Sequence, residues 1–151
     1  MADGNSKFVY VTYIRTSPEK LWRALTDSQF ITQYWFGMSQ ESAWEKGAVW
    51  QMNFPDGRTS DSGEVLEIDP PRKLVLKWRN DWKPELTVEG YSKMTYELVQ
   101  QNETVKLTIV HEIDKPNSKL IEAVNGGWPK IMSNLKSLLE TGNTIYIENK
   151  K

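Results

Sequence analysis

The sequence contains no cysteine, which excludes disulfides, thiolate nucleophiles and zinc–cysteine sites. It contains one histidine, His111, so a histidine-rich metal centre is excluded as well. A mixed histidine–carboxylate site stays open, but no HExxH or related spacing argues for one. No apolar run approaches the roughly 18 residues a membrane-spanning helix needs. The opening MADGNSK is polar and lacks the apolar stretch of a signal peptide, so the expectation is a cytoplasmic protein with no membrane insertion. Charge of one sign is missing too: 19 basic residues face 20 acidic ones, for a net charge of −1. No global positive field draws this chain to nucleic acid, and its basic residues do not interleave with aromatics as an RNA platform requires. There is no P-loop, no GxGxxG after a strand and no GxSxG elbow. The expectation is therefore no cofactor, no metal and no recognisable catalytic set.

What the chain has is tryptophan, seven in 151 residues. Each is a large apolar body with one polar N–H, suited to cores, interfaces and pockets. The length suits one domain with a real core. We expect a disordered N-terminal segment over 1–7, a single domain over 8–142, and a tail or short added strand over 143–151.

Residues 8–15 (FVYVTYIR) are β-branched and aromatic and read as a strand. Ser17-Pro18-Glu19 then starts a short helix, with Ser17 as cap and Pro18 at the first helical position. Asp27 caps a second short helix that Gly37 ends. Strands follow over 48–54, 62–68, 73–79, 92–99 and 105–112, with Asp56-Gly57 and Gln101-Asn102 as turns and 80–89 as a loop. Their alternation argues for an antiparallel sheet with one face buried.

From Ser118 to Gly142 the apolar residues recur every three or four positions: Leu120, Val124, Trp128, Ile131, Leu135 and Leu138. This is one stripe of a long helix. Gly126, Gly127 and Pro129 interrupt its propensity, at a cost of about 1 kcal/mol per glycine and about 3 for the proline. The expectation is a bend near Asn125, or a close backbone approach at the glycines, and a hinge formed by Gly126, Gly127 and Pro129. The fold class is α+β. A curved antiparallel sheet wraps a long C-terminal helix, with two short helices after the first strand.

Several blocks in this order carry a resemblance: TSPEKLWRALTD (16–27), Tyr34-Trp35, SGEVLEIDPPRKLVLKW (62–78), MTYEL (94–98), VKLTIVHE (105–112) and NGGWPKIMSNLKSLLETG (125–142). The chain resembles the bacterial proteins similar to the C-terminal domain of the activator of heat-shock-protein-90 ATPase. That family lies in the START-like (SRPBCC, Bet v 1-like) helix-grip superfamily. The resemblance implies a cavity between sheet and C-terminal helix, but no single activity and no catalytic motif. Relatives include lipid carriers, hydrophobic-ligand binders, polyketide cyclases and chaperone regulators. The additional N-terminal domain of the eukaryotic activators is not expected ahead of the first strand.

The inward-facing residues give the candidate ligand-binding set: Trp50, Met52, Leu76, Trp78, Met94, Tyr96, Ile109, His111, Trp128, Ile131 and Met132. Trp78, Tyr96 and Trp128 are expected to supply contact area, and His111 a hydrogen bond. The reading that competes with this, and outweighs it, is a buried neutral histidine satisfied by a partner within the protein. The expected function is binding of a small hydrophobic or aromatic molecule, lipid-like, flavonoid-like or polyketide-like. Two other readings stand beside it. One is a chaperone-associated or stress-response protein partner, for which loop residues Trp44 and Trp82 would form the patch. The other is a cyclase or aldol-type enzyme with His111 as base. The assembly is expected to be a monomer or homodimer.

Overall fold

In the computed structural model, residues 5–146 are described. Seven antiparallel strands form one sheet: β1 (Ser6–Ile14), β2 (Ser39–Ser42), β3 (Val49–Asn53), β4 (Thr59–Asp69), β5 (Lys73–Asn80), β6 (Ser92–Gln101) and β7 (Thr104–Ile113). Their spatial order is β1-β7-β6-β5-β4-β3-β2, a meander in which the first strand joins the last. Among the described residues four helices accompany the sheet: α1 (Pro18–Thr26), α2 (Ser28–Tyr34), α3 (Pro84–Thr87) and α4 (Lys119–Thr141). The sheet curves around α4, an α+β helix-grip arrangement. Bulges between Met52 and Asn53 and between Val65 and Glu67 add local twist to β3 and β4.

Short-range chemistry sets the helix ends. The Ser17 hydroxyl accepts from the Lys20 N–H at 3.2 Å with Pro18 behind it. Asp27 ends α1 and starts α2, its carboxylate accepting from the Gln29 N–H at 2.9 Å. α4 is held at both ends. Ser118 accepts from the Ile121 N–H at 3.1 Å, and Gly142 closes the helix at φ 89° with its N–H on the Leu138 carbonyl at 2.9 Å. Glu89, from the loop before β6, reaches the same N-terminus. It accepts from the Ser118 hydroxyl at 2.6 Å and from the Lys119 N–H at 2.8 Å.

β1 begins at Ser6, so Ser6 and Lys7 belong to the sheet rather than to the N-terminal segment expected over 1–7. Residues 1–4 and 147–151, with Ile147 of the expected tail strand, lie outside the described residues. Two elements were not expected. β2 is four residues without a clear apolar pattern, and α3 stands where 80–89 reads as a loop. β4 also starts three residues earlier than its apolar pattern indicates.

α4 is one helix from Lys119 through Thr141, unbroken at Asn125. The close approach expected at the glycines is absent: a Cβ on Gly126 or Gly127 would meet nothing within 4 Å. Asn125 and Gly126 are exposed, so water can satisfy the carbonyl that Pro129 leaves without a partner. The glycine that does permit close approach is Gly63 on β4. A Cβ there would fall 1.6 Å from the Lys77 carbonyl oxygen. Gly63 sits in register between Trp50 of β3 and Trp78 of β5, whose rings meet with centroids 4.6 Å apart.

Candidate functional site

The inward faces of β3 to β7 and one side of α4 converge on an aromatic cluster. Trp35, at the end of α2, lies 5.3 Å from Trp128 and 6.3 Å from Trp78 by ring centroids. Trp128 in turn lies 6.0 Å from Trp78 and 6.0 Å from Tyr96. These rings occupy the middle of the space between sheet and helix. Open space remains at one end, as a cavity of about 380 Å³. This is in the lower part of the range typical of small-molecule sites.

The cavity has three walls. Met52, Phe54, Asp61, Trp78 and Asn80 come from β3, β4, β5 and the hairpin after β3. Leu120, Ala123, Val124, Gly127, Trp128 and Ile131 come from the first half of α4. Trp35, Phe36 and Met38 follow α2, and Trp82, Lys83 and Leu86 bring in the segment around α3. Phe54 and Trp82 flank the mouth, their rings in edge-to-face contact at 5.4 Å. Trp82 is 51% exposed.

Polar groups in the lining are few. Asp61 and Asn80 face each other across the β4–β5 ladder, and both are buried. Asp61 Oδ2 accepts from Trp78 Nε1 at 2.8 Å. Burial pushes its carboxyl above the usual carboxylate range. Hydrogen bonds from Ser60 and Trp78 oppose that shift, and the nearby Asp81 charge adds to it. The Asn80 amide oxygen accepts from the Trp82 and Lys83 N–H groups at 3.2 and 2.9 Å, which fixes the mouth loop to the sheet.

Four of the eleven expected ligand-binding residues border the cavity: Met52, Trp78, Trp128 and Ile131. Trp50, Leu76, Met94, Tyr96, Ile109 and Met132 are buried in the core behind the aromatic cluster. His111 is also fully buried, away from the cavity lining. Trp128 Nε1, which can only donate, gives its proton to His111 Nδ1 at 3.1 Å. Nε2 therefore carries the hydrogen and donates to the Ser92 hydroxyl at 2.8 Å, and Ser92 donates onward to the Trp78 carbonyl at 2.9 Å. Both ring nitrogens are used within the protein, and burial lowers the histidine pKa to about 3. This corrects the expectation that His111 supplies a hydrogen bond to a ligand or acts as a base.

Of the hinge residues, Gly127 borders the cavity and Gly126 and Pro129 do not. The two loop tryptophans separate as well. Trp44 packs against the core, whereas Trp82 forms the cavity mouth. Asp61, Asn80, Phe36, Met38, Lys83 and Leu86 are lining residues that sequence reasoning missed. A signal existed for two of them. Asp61 shares the parity of inward Gly63 and Val65 on β4, and Asn80 that of Leu74, Leu76 and Trp78 on β5. Among the described residues no group of three or more metal-ligating side chains occurs, and no helix is long and apolar enough to cross a membrane.

A family model described as Activator of Hsp90 ATPase homolog 1-like protein matches residues 15–140. Comparison with curated proteins gives no significant match. Among solved structures, the chain is similar to protein MLL2253 from Mesorhizobium loti, with 23% identity and a TM-score of 0.76 over 89% of this chain and 97% of that one. It is similar to PFC0360w, an HSP90 activator from Plasmodium falciparum, at 25% identity and a TM-score of 0.72, covering 88% and 95%. It is also similar to the Aha1 dimer from Colwellia psychrerythraea, at 18% identity and a TM-score of 0.73, covering 91% and 98%.

Proposed function

This chain belongs to the Activator of Hsp90 ATPase homolog 1-like family, and we propose that within this fold it binds a small hydrophobic or aromatic molecule. The observation that carries the reading is the cavity of about 380 Å³, walled by tryptophan, phenylalanine, methionine and aliphatic side chains, with a buried Asp61–Asn80 pair among them. An apolar lining supplies affinity by removing ligand surface from water, and a few fixed polar groups supply orientation. The ligand enters beside the Phe54–Trp82 pair and lies against Trp78 and Trp128. α4 flexes at Gly126, Gly127 and Pro129 to admit it.

The test is a titration of isotope-labelled protein with fatty acids, sterols, flavonoid-like aromatics and polyketide-like compounds, read by NMR. Saturable shifts of the Trp78, Trp82 and Trp128 indole N–H signals and of the Met52 and Ile131 methyls support the reading. A folded spectrum that no compound perturbs there overturns it.

A second reading follows from the family's description. The chain would bind an Hsp90-type chaperone and stimulate its ATPase. Of the two exposed-patch candidates Trp82 is exposed and Trp44 is half-buried against the core, and Trp82 is shared with the cavity mouth. A purified bacterial Hsp90 whose ATPase rate rises with this protein, and falls back with Trp82→Ala, supports this reading over the first. The enzyme reading through His111 finds no support, because neither ring nitrogen is free and its basicity is low.

A further inference from the structure

We propose that the ligand of this cavity is an organic amine: an aromatic or apolar body carrying a protonated nitrogen that sits against Asp61. The inference rests on the cavity being a ligand site, and it names the ligand's head group.

Three observations carry it. The first is Asp61 itself, a carboxylate in the wall of an apolar cavity and only 7% exposed. Buried carboxylates are normally matched by a cation. Among the described residues, none of the ion pairs includes Asp61. Its one side-chain hydrogen bond from a longer-range partner is the Trp78 indole N–H, on Oδ2. Asp81 adds a negative charge nearby, and that charge is paired with Arg79 at 2.6 Å. Glu89 is engaged at the α4 N-terminus, and Lys83 stands at the exposed rim with its ammonium 4.9 Å above the Trp82 ring. Lys83 is thus seated on the mouth and forms no ion pair with Asp61.

The second observation is the character of the walls. Trp35, Trp78, Trp82, Trp128, Phe36 and Phe54 surround the space. Aromatic faces attract cations, tryptophan most of all, and more strongly where water is excluded. The mouth rings already do this with the chain's own cations, Lys83 on Trp82 and Arg58 on Phe54 at 4.9 Å.

The third is Asn80, directly opposite Asp61 in the ladder. Its oxygen is taken by two loop N–H groups, so what it offers the cavity is its NH₂ donor. A head group with a nitrogen donor for Asp61 and a hydroxyl or carbonyl acceptor beside it satisfies both residues. The same wall rejects an anionic head, because a carboxylate or phosphate there would face Asp61 with Asp81 behind it. The upward push on the Asp61 carboxyl agrees, since burial disfavours its charge by more than the Ser60 and Trp78 hydrogen bonds support it.

The experiment uses three probes with one body and different heads: 2-naphthylmethylamine, 2-naphthylmethanol and 2-naphthoate. Binding to the full chain is measured by calorimetry, with the indole N–H signals of Trp78 and Trp128 reporting the site. The amine is expected to bind about tenfold more tightly than the alcohol, and the carboxylate most weakly. In Asp61→Asn the amine advantage disappears while alcohol binding persists. A role for Asp61 confined to holding the Trp78 indole would leave the ranking of the three probes flat. Equal binding of amine and alcohol, or an amine preference that survives Asp61→Asn, overturns this inference and leaves the cavity reading intact. Binding of none of the three overturns both. Equal binding of amine and alcohol by the unmodified protein overturns the inference even if Asp61→Asn does not fold.

Discussion

Lowering the pH from about 7.5 to about 5 should cost this protein about 2 kcal/mol through His111 alone. The imidazole is fully buried and neutral, accepting at Nδ1 from Trp128 and donating from Nε2 to Ser92. Protonation would place a second hydrogen at Nδ1, where the Trp128 N–H already points, inside a cluster of indole rings. Burial among these rings disfavours the charged form and lowers the folded pKa to about 3. The unfolded chain titrates near 6.5, so between these values the unfolded state holds a proton that the folded state refuses. Stability is therefore complete above about pH 6.5 and drains away as pH falls towards 3. At about pH 5 the loss is about 1.5 units at about 1.4 kcal/mol each. Asp61 works in the opposite direction, since its raised carboxyl favours the folded state on protonation. In Glu89 and Glu140 burial pushes the carboxyl up, but hydrogen bonds outweigh it and hold both below the usual range. Their contribution is lost only below about pH 4.5, outside this window. Comparison with His111→Gln isolates the histidine. Urea unfolding followed by tryptophan fluorescence should show the unmodified protein losing about 2 kcal/mol more than the variant between the two pH values. Equal losses would refute the argument. So would a His111 ring signal that titrates between about pH 8 and about 5, a measurement that needs no variant.

Three further outcomes follow from the packing. Gly63→Ala should destabilise by about 3 kcal/mol in urea unfolding, because its Cβ meets the Lys77 carbonyl at 1.6 Å and would part the Trp50 and Trp78 rings; a change below about 1 kcal/mol would show that β4 yields easily. Gly127→Ala enters open space in α4 and should stabilise by up to about 1 kcal/mol. If α4 admits ligand by flexing there, the same change slows ligand exchange in NMR line shapes, and an unchanged rate removes the hinge. Asn134 holds the segment after α4, its oxygen accepting from the Ile145 and Tyr146 N–H groups at 3.0 and 2.7 Å. Asn134→Ala should cost about 1–3 kcal/mol and speed amide exchange at Ile145 and Tyr146, whereas retained protection would show that the segment is held by other contacts.

Much of the fold was legible because it is written in local chemistry. Ser17, Pro18 and Asp27 mark helix ends by the hydrogen bonds their own side chains and ring can or cannot make. The even spacing of Leu74, Leu76 and Trp78, or of Val105, Leu107 and Ile109, marks a buried sheet face. β2 and α3 were not legible, since four residues carry too little pattern. Both are held by long-range partners: β2 by its ladder to β3, and α3 by packing on β5 and α4. At the Gly-Gly-Trp-Pro run the expected close backbone approach is what fails: the glycines face open space, and the tertiary contacts of Trp128 hold the helix through them.

The site was less legible than the fold because inward and cavity-lining are different properties. Alternation reports which face is dry, and it placed Tyr96, Met94 and His111 inward, where they are. It cannot report that three indoles pack against one another and fill the middle of the grip, pushing the remaining space to one end. There the lining comes from loop and strand-end residues with no pattern of their own, Phe36, Met38 and Trp82 among them. Asp61 and Asn80 were the readable exceptions, polar side chains at inward parity. A charged group at such a position breaks the rule that makes a strand amphipathic, and it persists in the structure with an indole as its partner and no recorded cation. The proposed amine recognition rests on this residue, which is not among the eleven expected to bind ligand.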